Sequence, residues 1–221
     1  PASYFPKIQA VLKKYDVLLI ADEIITGFGR TGNLFGSQTF GIEPDMISTA
    51  KALSSAYAPI SALMVNERIY QILQEQSAKI GIFGHGYTYS AHPLGAAVAL
   101  ETMAIYEERD IVGHVRSVGT HFQKRLRSFA AHPLVGEARG VGLIGALELV
   151  ADKKTKANFD PAQGVGAKLV AEAEKEGLIL RAMAGDAIAF SPPLIITESE
   201  IDEMFGRFEK ALERVAQAIS Q

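Results

Sequence analysis

The sequence lacks cysteine altogether, which excludes disulfides, thiolate metal sites and thiol nucleophiles at once. It also lacks any apolar run near the roughly 20 residues that a membrane span needs, and its first residues have neither the basic nor the apolar part of a signal peptide. A net charge of −3 and a pI near 6.0 leave no basic surface for nucleic acid or an acidic membrane. The five histidines show no spacing typical of metal ligands. We therefore expect a soluble, cytoplasmic protein with no metal, membrane or nucleic-acid partner.

Hydrophobic residues make up 48% of the 221 residues, enough to bury a sizeable core in one large or two modest domains. The pattern along the chain predicts two domains with a boundary near residue 110. Beyond that boundary, residues 111–221 are predicted to form a small mixed α/β domain that ends in a long amphipathic helix. Thr197 and Glu200 form a capping box where that helix begins.

Two strand-like runs end on residues that can do chemistry. Residues 17–21 form an unbroken apolar run, typical of a strand buried on both faces of a parallel sheet, and Asp22 follows it. The carboxyl ends of such strands face the ligand crevice, so we expect Asp22 to meet a cofactor and not bulk solvent. A second run, residues 46–49, leads to Lys51, whose small neighbours suit an amine in a partly desolvated pocket. A carboxylate and a lysine so placed indicate pyridoxal phosphate chemistry, in which the amine forms a Schiff base with the cofactor aldehyde and the carboxylate pairs with the protonated pyridine nitrogen.

A glycine motif between the two runs supports a rival interpretation. Residues 27–32, GFGRTG, match the G-x-G-x-x-G fingerprint of dinucleotide-binding sites. That fingerprint needs its first glycine directly after a strand and its last at the start of a helix, but residues 22–26 intervene and no helical pattern follows. Asp45, the acid farther along, precedes the next strand instead of ending it. We favour a glycine loop that shapes a wall of the site, and keep an NAD(P)-binding oxidoreductase as the alternative from another class.

Three separated motifs, IADEIITGFGRTG, STAKALSSAYAPISA and GHGYTYSAHPLGAA, resemble the class III, fold type I aminotransferases that use pyridoxal 5'-phosphate (PLP). The likeness covers nearly the whole chain and points to the ω-amino acid, or amine:pyruvate, transaminases. It implies an α/β fold in which residues 1–110 are the carboxyl-terminal part of a mainly parallel-sheet, PLP-binding large domain and residues 111–221 are the small domain. It also implies ping-pong transfer of an amino group from an amine or ω-amino acid to a keto acid such as pyruvate, in a homodimer or higher homo-oligomer.

The resemblance assigns roles to five residues. Lys51 binds the cofactor, and Asp22 keeps its pyridine nitrogen protonated. Ile24 packs on one face of the ring, and Thr88 reaches the phosphate of the neighbouring subunit's cofactor. Arg181, near the end of a predicted strand, clamps a substrate carboxylate and swings away for amines that have none. Each residue also has a plain structural interpretation: a surface lysine, a buried acid, a core isoleucine, a helix-capping threonine and an ion-pairing arginine.

Enzymes of this family are about twice as long as the present sequence, which begins at Pro1. We therefore expect the chain to be a carboxyl-terminal half that needs the amino-terminal half as its partner. The resemblance places a glycine-serine phosphate loop and a ring-stacking tyrosine in that other half. Within the same cofactor class, the alternatives are a 4-aminobutyrate-type aminotransferase and an aminomutase. A catalytically inactive half-chain fragment is the remaining alternative.

Overall fold

The computed structural model describes residues 1–219 of the chain. These residues form two compact units, Pro1–Val112 and a second unit that begins at Gly113. Each unit has its own β-sheet and its own helices, so the chain is of the mixed α/β class. None of the helices within residues 1–219 is both long and apolar enough to cross a membrane.

The first unit is built on a three-stranded sheet in the order β1-β2-β3. β1 and β2 are parallel, whereas β2 and β3 are antiparallel. Along the chain the elements are α1 (Tyr4–Lys14), β1 (Ile20–Asp22), α2 (Gly36–Phe40), β2 (Met46–Thr49), β3 (Ala62–Val65), α3 (Glu67–Ile80) and α4 (Pro93–Glu108). One turn of 3-10 helix, Lys51–Ser54, follows β2.

Burial around β1 is lower than the sequence predicts. The apolar run at residues 17–21 predicts a strand buried on both faces, but β1 has only three residues and Ile20 is 56% exposed. The prediction is wrong for this chain, because a strand is buried on both faces only where other elements cover them, and Val17, Leu18 and Ile20 are 51%, 45% and 56% exposed. A buried apolar cluster of the unit consists instead of Phe28, Leu53 and Ala99. They connect the loop after β1, the turn after β2 and helix α4.

The second unit contains a four-stranded antiparallel sheet in the order β4-β5-β7-β6. Its elements are α5 (Ile111–Ser128), which starts just before the boundary, then β4 (Val135–Val141), β5 (Ile144–Leu149), α6 (Val165–Lys175), β6 (Arg181–Met183), β7 (Ala187–Phe190) and α7 (Glu198–Ile219). Aromatic rings fill the space between the helices and the sheet. Phe205 of α7 lies within 5.4–5.6 Å, centroid to centroid, of Phe122, Phe129 and Phe190. Phe205 is fully buried, so this ring cluster is the centre of the core.

The start of α7 confirms the predicted capping box. The Thr197 amide donates to Glu200 Oε2 at 2.8 Å, and the Glu200 amide donates to Thr197 Oγ1 at 3.3 Å. These bonds satisfy two amides that a helix end otherwise leaves without partners. By contrast, the sequence did not indicate β4, because glycines interrupt its apolar pattern. The glycines are needed there: a Cβ on Gly136 would lie 2.5 Å from the Val150 side chain.

Candidate active site

Asp22 and Lys51, the acid and the lysine predicted to bind a cofactor, lie at the carboxyl edge of the first unit's sheet. Asp22 is the last residue of β1 and is paired in register with Ser48 of β2. β2 ends at Thr49, and Lys51 begins the 3-10 turn just beyond it. Parallel neighbours lie about 4.8 Å apart, and their carboxyl ends meet at one edge. The structure therefore brings Asp22 and Lys51 to the same edge of one sheet.

The carboxylate of Asp22 is oriented by its own backbone. Its Oδ1 accepts a hydrogen bond from the Ile24 amide at 3.0 Å, which forms an Asx-type turn. Ile24 is half-buried, whereas Asp22 is exposed in the described chain. The expectation that Asp22 is shielded from solvent is therefore not met within residues 1–219, for the same reason that β1 is exposed. The turn nevertheless fixes the direction of one carboxylate oxygen.

Lys51 has a backbone conformation that residues with a Cβ seldom adopt. Its φ is 44°, and Ser55 and Ala56 are also left-handed, at 47° and 61°. Each left-handed residue costs roughly 1–2 kcal/mol, and such strain is concentrated at functional sites. The turn is closed by a hydrogen bond from the Ala56 amide to the Lys51 carbonyl at 3.2 Å. The side chain of Lys51 is exposed, so the predicted partial desolvation is not seen in the described chain.

Glu23 is a buried acid for which the sequence predicts no contact with a cofactor or substrate. It is only 2% exposed. Its carboxylate accepts hydrogen bonds from Thr26 Oγ1 at 2.5 Å, from the Gly36 amide at 2.8 Å and from the Ser37 amide at 2.6 Å. Burial acts to raise the pKa of Glu23, but the hydrogen bonds together outweigh it and hold the pKa below its ordinary value. The only feature of the sequence that could have indicated this buried carboxylate is that a second acid directly follows Asp22 at the end of a strand.

Glu23 also explains two glycines of the loop. A Cβ on Gly27 would lie 2.7 Å from the Glu23 carbonyl oxygen, and a Cβ on Gly36 would lie 2.9 Å from Thr26 Cβ and 3.1 Å from Glu23 Oε2. Both positions therefore need glycine so that the loop can close around the buried carboxylate. This closure supports the interpretation of the motif as a structured wall.

The dinucleotide interpretation has no support from the local geometry. The motif starts at Gly27, several residues beyond the end of β1, and the helix that follows, α2, has only five residues. Asp45 is engaged elsewhere, since its Oδ2 accepts from the Leu19 amide at 2.9 Å and its Oδ1 accepts from Asn66 Nδ2 at 2.8 Å. The hydrogen bond from Leu19 is the largest cause of the lowered pKa of Asp45. Asp45 thus links the residue before β1 to the residue after β3 and does not end a strand.

Thr88 lies in an exposed turn before α4. In this turn the Tyr87 amide donates to Ser90 Oγ at 3.0 Å, and the Ser90 amide donates to the Tyr87 carbonyl at 2.9 Å. The helix is capped by His92, whose Nδ1 accepts from the Leu94 amide at 3.3 Å. The capping role that was the structural alternative for Thr88 therefore belongs to His92.

No cluster of candidate metal ligands occurs among the described histidines and acids.

Arg181 belongs to the second unit. It is the first residue of β6, which ends two residues later at Met183, and it is paired with Ala189 of β7, so it lies near the end of a strand as expected. β6 has only three residues, all paired with β7, and the pairing starts at Arg181. The side chain is exposed. The structure thus places Asp22, Ile24 and Lys51 at one sheet edge, Thr88 in a loop of the same unit and Arg181 in the second unit.

This combination of sheet, acid and lysine matches one family. The family model of the class-III aminotransferases matches residues 1–212, and the chain belongs to that family. The enzymes of the family depend on PLP and have the type I fold. The chain is 54% identical over 217 residues to the uncharacterized aminotransferase y4uB of Sinorhizobium fredii (strain NBRC 101917 / NGR234), covering 97% of this chain and 46% of that protein.

Other relatives have more specific names. A probable gamma-aminobutyrate transaminase 3, mitochondrial, of Oryza sativa subsp. indica is 48% identical over 221 residues, which is 100% of this chain and 43% of that protein. Among solved structures, a transaminase with L-Ala matches with a TM-score of 0.96 at 55% identity, covering 99% of this chain and 51% of that one. The omega transaminase from Pseudomonas jessenii in complex with PMP matches with a TM-score of 0.96 at 47% identity, covering 100% and 48%. The chain spans about half the length of the relatives it matches.

Proposed function

We propose that this chain forms the lysine-bearing half of a PLP-dependent aminotransferase that moves an amino group from an amine or ω-amino acid to a keto acid such as pyruvate. The observation that supports the proposal most is the register of Asp22 with Ser48, because it brings Asp22 and Lys51 to one sheet edge. The exchange is ping-pong: the donor leaves its nitrogen at the site before the keto acid collects it. On this proposal, residues 1–110 belong to the PLP-binding large domain and residues 111–221 to the small domain.

The residues at this edge fit PLP. A carboxylate suits a protonated pyridine nitrogen, a primary amine suits an aldehyde, and the half-buried Ile24 suits a ring face. The Asx turn supports this fit, because the Ile24 amide holds Asp22 Oδ1 in a fixed direction. When bound, PLP supplies an aldehyde for the substrate nitrogen and a ring that accepts electrons from the adjacent carbon.

Two side chains would act on protons. Asp22 would favour a proton on the ring nitrogen, because an opposite charge nearby favours the charged form of a base. The Lys51 amine would take a proton from the substrate carbon and return it at a different atom. Its position on a strained turn supports this role, since a left-handed lysine backbone is costly and is kept where geometry matters.

Two further residues would bind charged groups. The exposed Thr88 hydroxyl would bind the cofactor phosphate of a neighbouring subunit, which makes a homodimer or higher homo-oligomer necessary for a complete site. Arg181 would bind the carboxylate of the keto acid, because a guanidinium forms two parallel hydrogen bonds with a carboxylate. Arg181 is followed by Ala182, Met183, Ala184 and Gly185, and these mostly small neighbours would leave room for its side chain to swing.

A 4-aminobutyrate-type aminotransferase is the second candidate, because relatives at 48% identity carry gamma-aminobutyrate transaminase names. An aminomutase is the third candidate of this cofactor class. Rates with 4-aminobutyrate and with an amine that has no carboxylate, both with pyruvate as acceptor, separate the first two. An aminomutase would move the amino group within one substrate and release no keto acid product.

The candidates from other classes have weaker support. An NAD(P)-binding oxidoreductase would need the glycine loop for phosphates, whereas Gly27 and Gly36 pack closely around Glu23. An inactive half-chain fragment would bind no cofactor in any assembly. A cytoplasmic location stays a prediction, which fractionation of the source cells would check.

The decisive experiment traps the cofactor. The complete protein is incubated with PLP, reduced with borohydride and mapped by peptide mass. We expect the phosphopyridoxyl mass on the peptide that contains Lys51, its loss in Lys51→Ala and its retention in Lys79→Ala, which changes an exposed lysine of α3. Label on another lysine would contradict the assignment. The same treatment of the 221-residue chain alone determines whether this half binds PLP without the rest of the enzyme.

A further inference from the structure

Tyr106, in the last turns of α4, is linked by hydrogen bonds to the turn that begins at Lys51. Its Oη donates to the Ala52 carbonyl oxygen at 2.7 Å and lies 2.6 Å from Ser55 Oγ. Tyr106 is far from the turn in sequence, at a separation of 54 residues from Ala52. The contact therefore joins a helix to the lysine turn through side-chain and carbonyl groups.

The direction of these hydrogen bonds follows from the chemistry of the partners. A phenol has one proton, and a carbonyl oxygen can only accept, so the proton of Tyr106 is committed to Ala52. Ser55 must then donate its hydroxyl proton to Tyr106 Oη. The result is a short chain from Ser55 through Tyr106 to Ala52. Hydrogen bonds in such a chain strengthen one another.

The turn needs such support because its backbone is strained. Lys51, Ser55 and Ala56 are all left-handed, and strain of this kind persists only where the surrounding structure over-determines it. Tyr106 is hydrogen-bonded to Ala52, the residue after Lys51, and to Ser55, one of the other two left-handed residues. Backbone hydrogen bonds, among them the one from the Ala56 amide to the Lys51 carbonyl, also support the turn, as do the buried Leu53 and a hydrogen bond from Ser54 Oγ to the Ala58 carbonyl at 2.7 Å.

The ring of Tyr106 also reaches the loop after β1. Its centroid lies 6.4 Å from that of Phe28, a buried residue of the glycine loop whose own φ is 62°. Phe28 and Leu53 belong to one apolar cluster, against which Tyr106 packs. One side chain thus contacts both the loop that follows Asp22 and the turn that carries Lys51.

We propose that Tyr106 is a positioning residue for Lys51. Its hydroxyl fixes the strained turn so that the lysine backbone keeps the orientation from which the amine reaches the reacting atoms. This inference rests on the proposed function, because positioning has a consequence for catalysis only if Lys51 binds the cofactor. Small displacements of a reacting group cost large factors in rate, so the loss of one hydroxyl should be measurable.

The test uses the complete protein with Tyr106→Phe, which removes the hydroxyl and keeps the ring on Phe28. Tyr70→Phe is the matched control, since Tyr70 of α3 is exposed and its hydroxyl accepts from Gln74 Nε2 at 3.1 Å. We expect Tyr106→Phe to lower kcat about tenfold while KM for both substrates changes by less than about twofold. We also expect the pH midpoint of the visible absorption band of the bound cofactor to shift by about 0.5 units or more, because the environment of the Lys51 nitrogen changes.

A third variant tests the hydrogen-bond chain itself. Ser55→Ala should give a smaller effect in the same direction, and Ser55→Ala with Tyr106→Phe should be no worse than Tyr106→Phe alone, because Ser55 acts through the tyrosine oxygen. Additive losses of activity in the double variant would contradict this chain of hydrogen bonds.

Two outcomes would overturn the positioning role: kinetics and a pH midpoint equal to those of Tyr70→Phe, or an activity loss fully explained by fewer Lys51 sites labelled with borohydride. If wild-type protein is not labelled at Lys51, the proposed function fails. If it is labelled and Tyr106→Phe behaves like the control, only this inference fails.

Discussion

Asp22 and Ser48 lie opposite each other in register across a parallel pair of strands, and this pairing sets the position of Lys51 relative to Asp22. Lys51 follows Ser48 by three residues, beyond the end of β2. Side chains alternate between the faces of a sheet, so a slip of β2 by one residue would send its side chains to the opposite face. The candidate site therefore depends on a register that backbone hydrogen bonds fix, and its residues can be tested one at a time.

Asp22→Asn should remove charge and leave the local structure intact. An asparagine keeps the oxygen that accepts from the Ile24 amide, so the Asx turn persists. We expect the half-reaction with an amine donor to slow by about 100-fold or more, since an electrostatic partner of the cofactor is lost, while Lys51 can still be labelled. Asp16→Asn, at an exposed acid that pairs with Arg68, is the charge-matched control. A half-reaction near the wild-type rate would disprove the pairing of Asp22 with the ring nitrogen.

Arg181→Ala should separate the two substrates of the cycle. We expect KM for the keto acid to rise about 10-fold or more, because a charge-assisted bidentate contact is lost, while KM for an amine without a carboxylate changes less than about twofold. Arg139→Ala is the control, since Arg139 is an exposed arginine of β4 that pairs with Glu148 at 2.6 Å. Steady-state kinetics with both substrates provides the measurement. Equal losses with both would mean that Arg181 supports the fold and that the carboxylate is bound elsewhere.

Mixed subunits should determine whether Thr88 acts across a dimer interface. If it does, a dimer of one Lys51→Ala subunit and one Thr88→Asp subunit has one complete site, although each homodimer is inactive. Random mixing would then recover about a quarter of the wild-type activity. Thr88→Ser, which keeps the hydroxyl, should be active without mixing. No recovery despite demonstrated subunit exchange would argue that Thr88 acts within its own subunit or not at all.

Glu23→Gln should loosen the loop after β1. The new amide group would face Thr26 and the Gly36 and Ser37 amides, which are all donors, so at least one is left without an acceptor. We expect a loss of about 2 kcal/mol or more in stability and faster amide hydrogen exchange over residues 24–40. Glu75→Gln, at an exposed position of α3, should change neither. Normal exchange in Glu23→Gln would show that the glycines close the loop without the carboxylate.

The effect of Glu23 should also depend on pH in a definite direction. Hydrogen bonds hold the pKa of Glu23 below its usual value in the folded protein, so the unfolded chain binds the proton more readily. The stabilisation is therefore fully present above the ordinary glutamate pKa of about 4.3 and is lost as the pH falls through the folded pKa. The stability difference between wild type and Glu23→Gln should shrink in that acidic window. A constant difference would mean that the charge of Glu23 contributes nothing.

Local signals in the sequence were enough for some elements. The capping box of Thr197 and Glu200 and the apolar stripe of α7 lie within one helix, and the structure has both. The ends of β1 and β2 could also be read from short runs, which is why Asp22 and Lys51 were found.

The features that the sequence did not indicate depend on distant residues. Glu23 is satisfied by amides 13 and 14 positions farther along, so no local pattern indicates that it is buried. The Tyr106 contact spans 54 positions. β4 was hidden because its glycines are required by close packing against Val150 and other neighbours, and glycine lowers the apparent strand propensity. The exposure of β1 depends on which elements cover its faces, and the run of aliphatic residues carries no information about that.

The ring cluster of the second unit has a consequence for how the protein is made. Helix α5 is synthesised well before α7, and the contact of His114 with the Ile196 carbonyl, at the entry to α7, spans 82 positions. Val115, Phe122 and Leu126 of α5 are fully buried in the finished fold. At roughly 5–20 residues per second, a ribosome needs about 4–16 seconds to add the intervening chain. During that interval the apolar face of α5 has not yet been covered by α7. We therefore expect a chaperone to bind the nascent chain at this stage of translation.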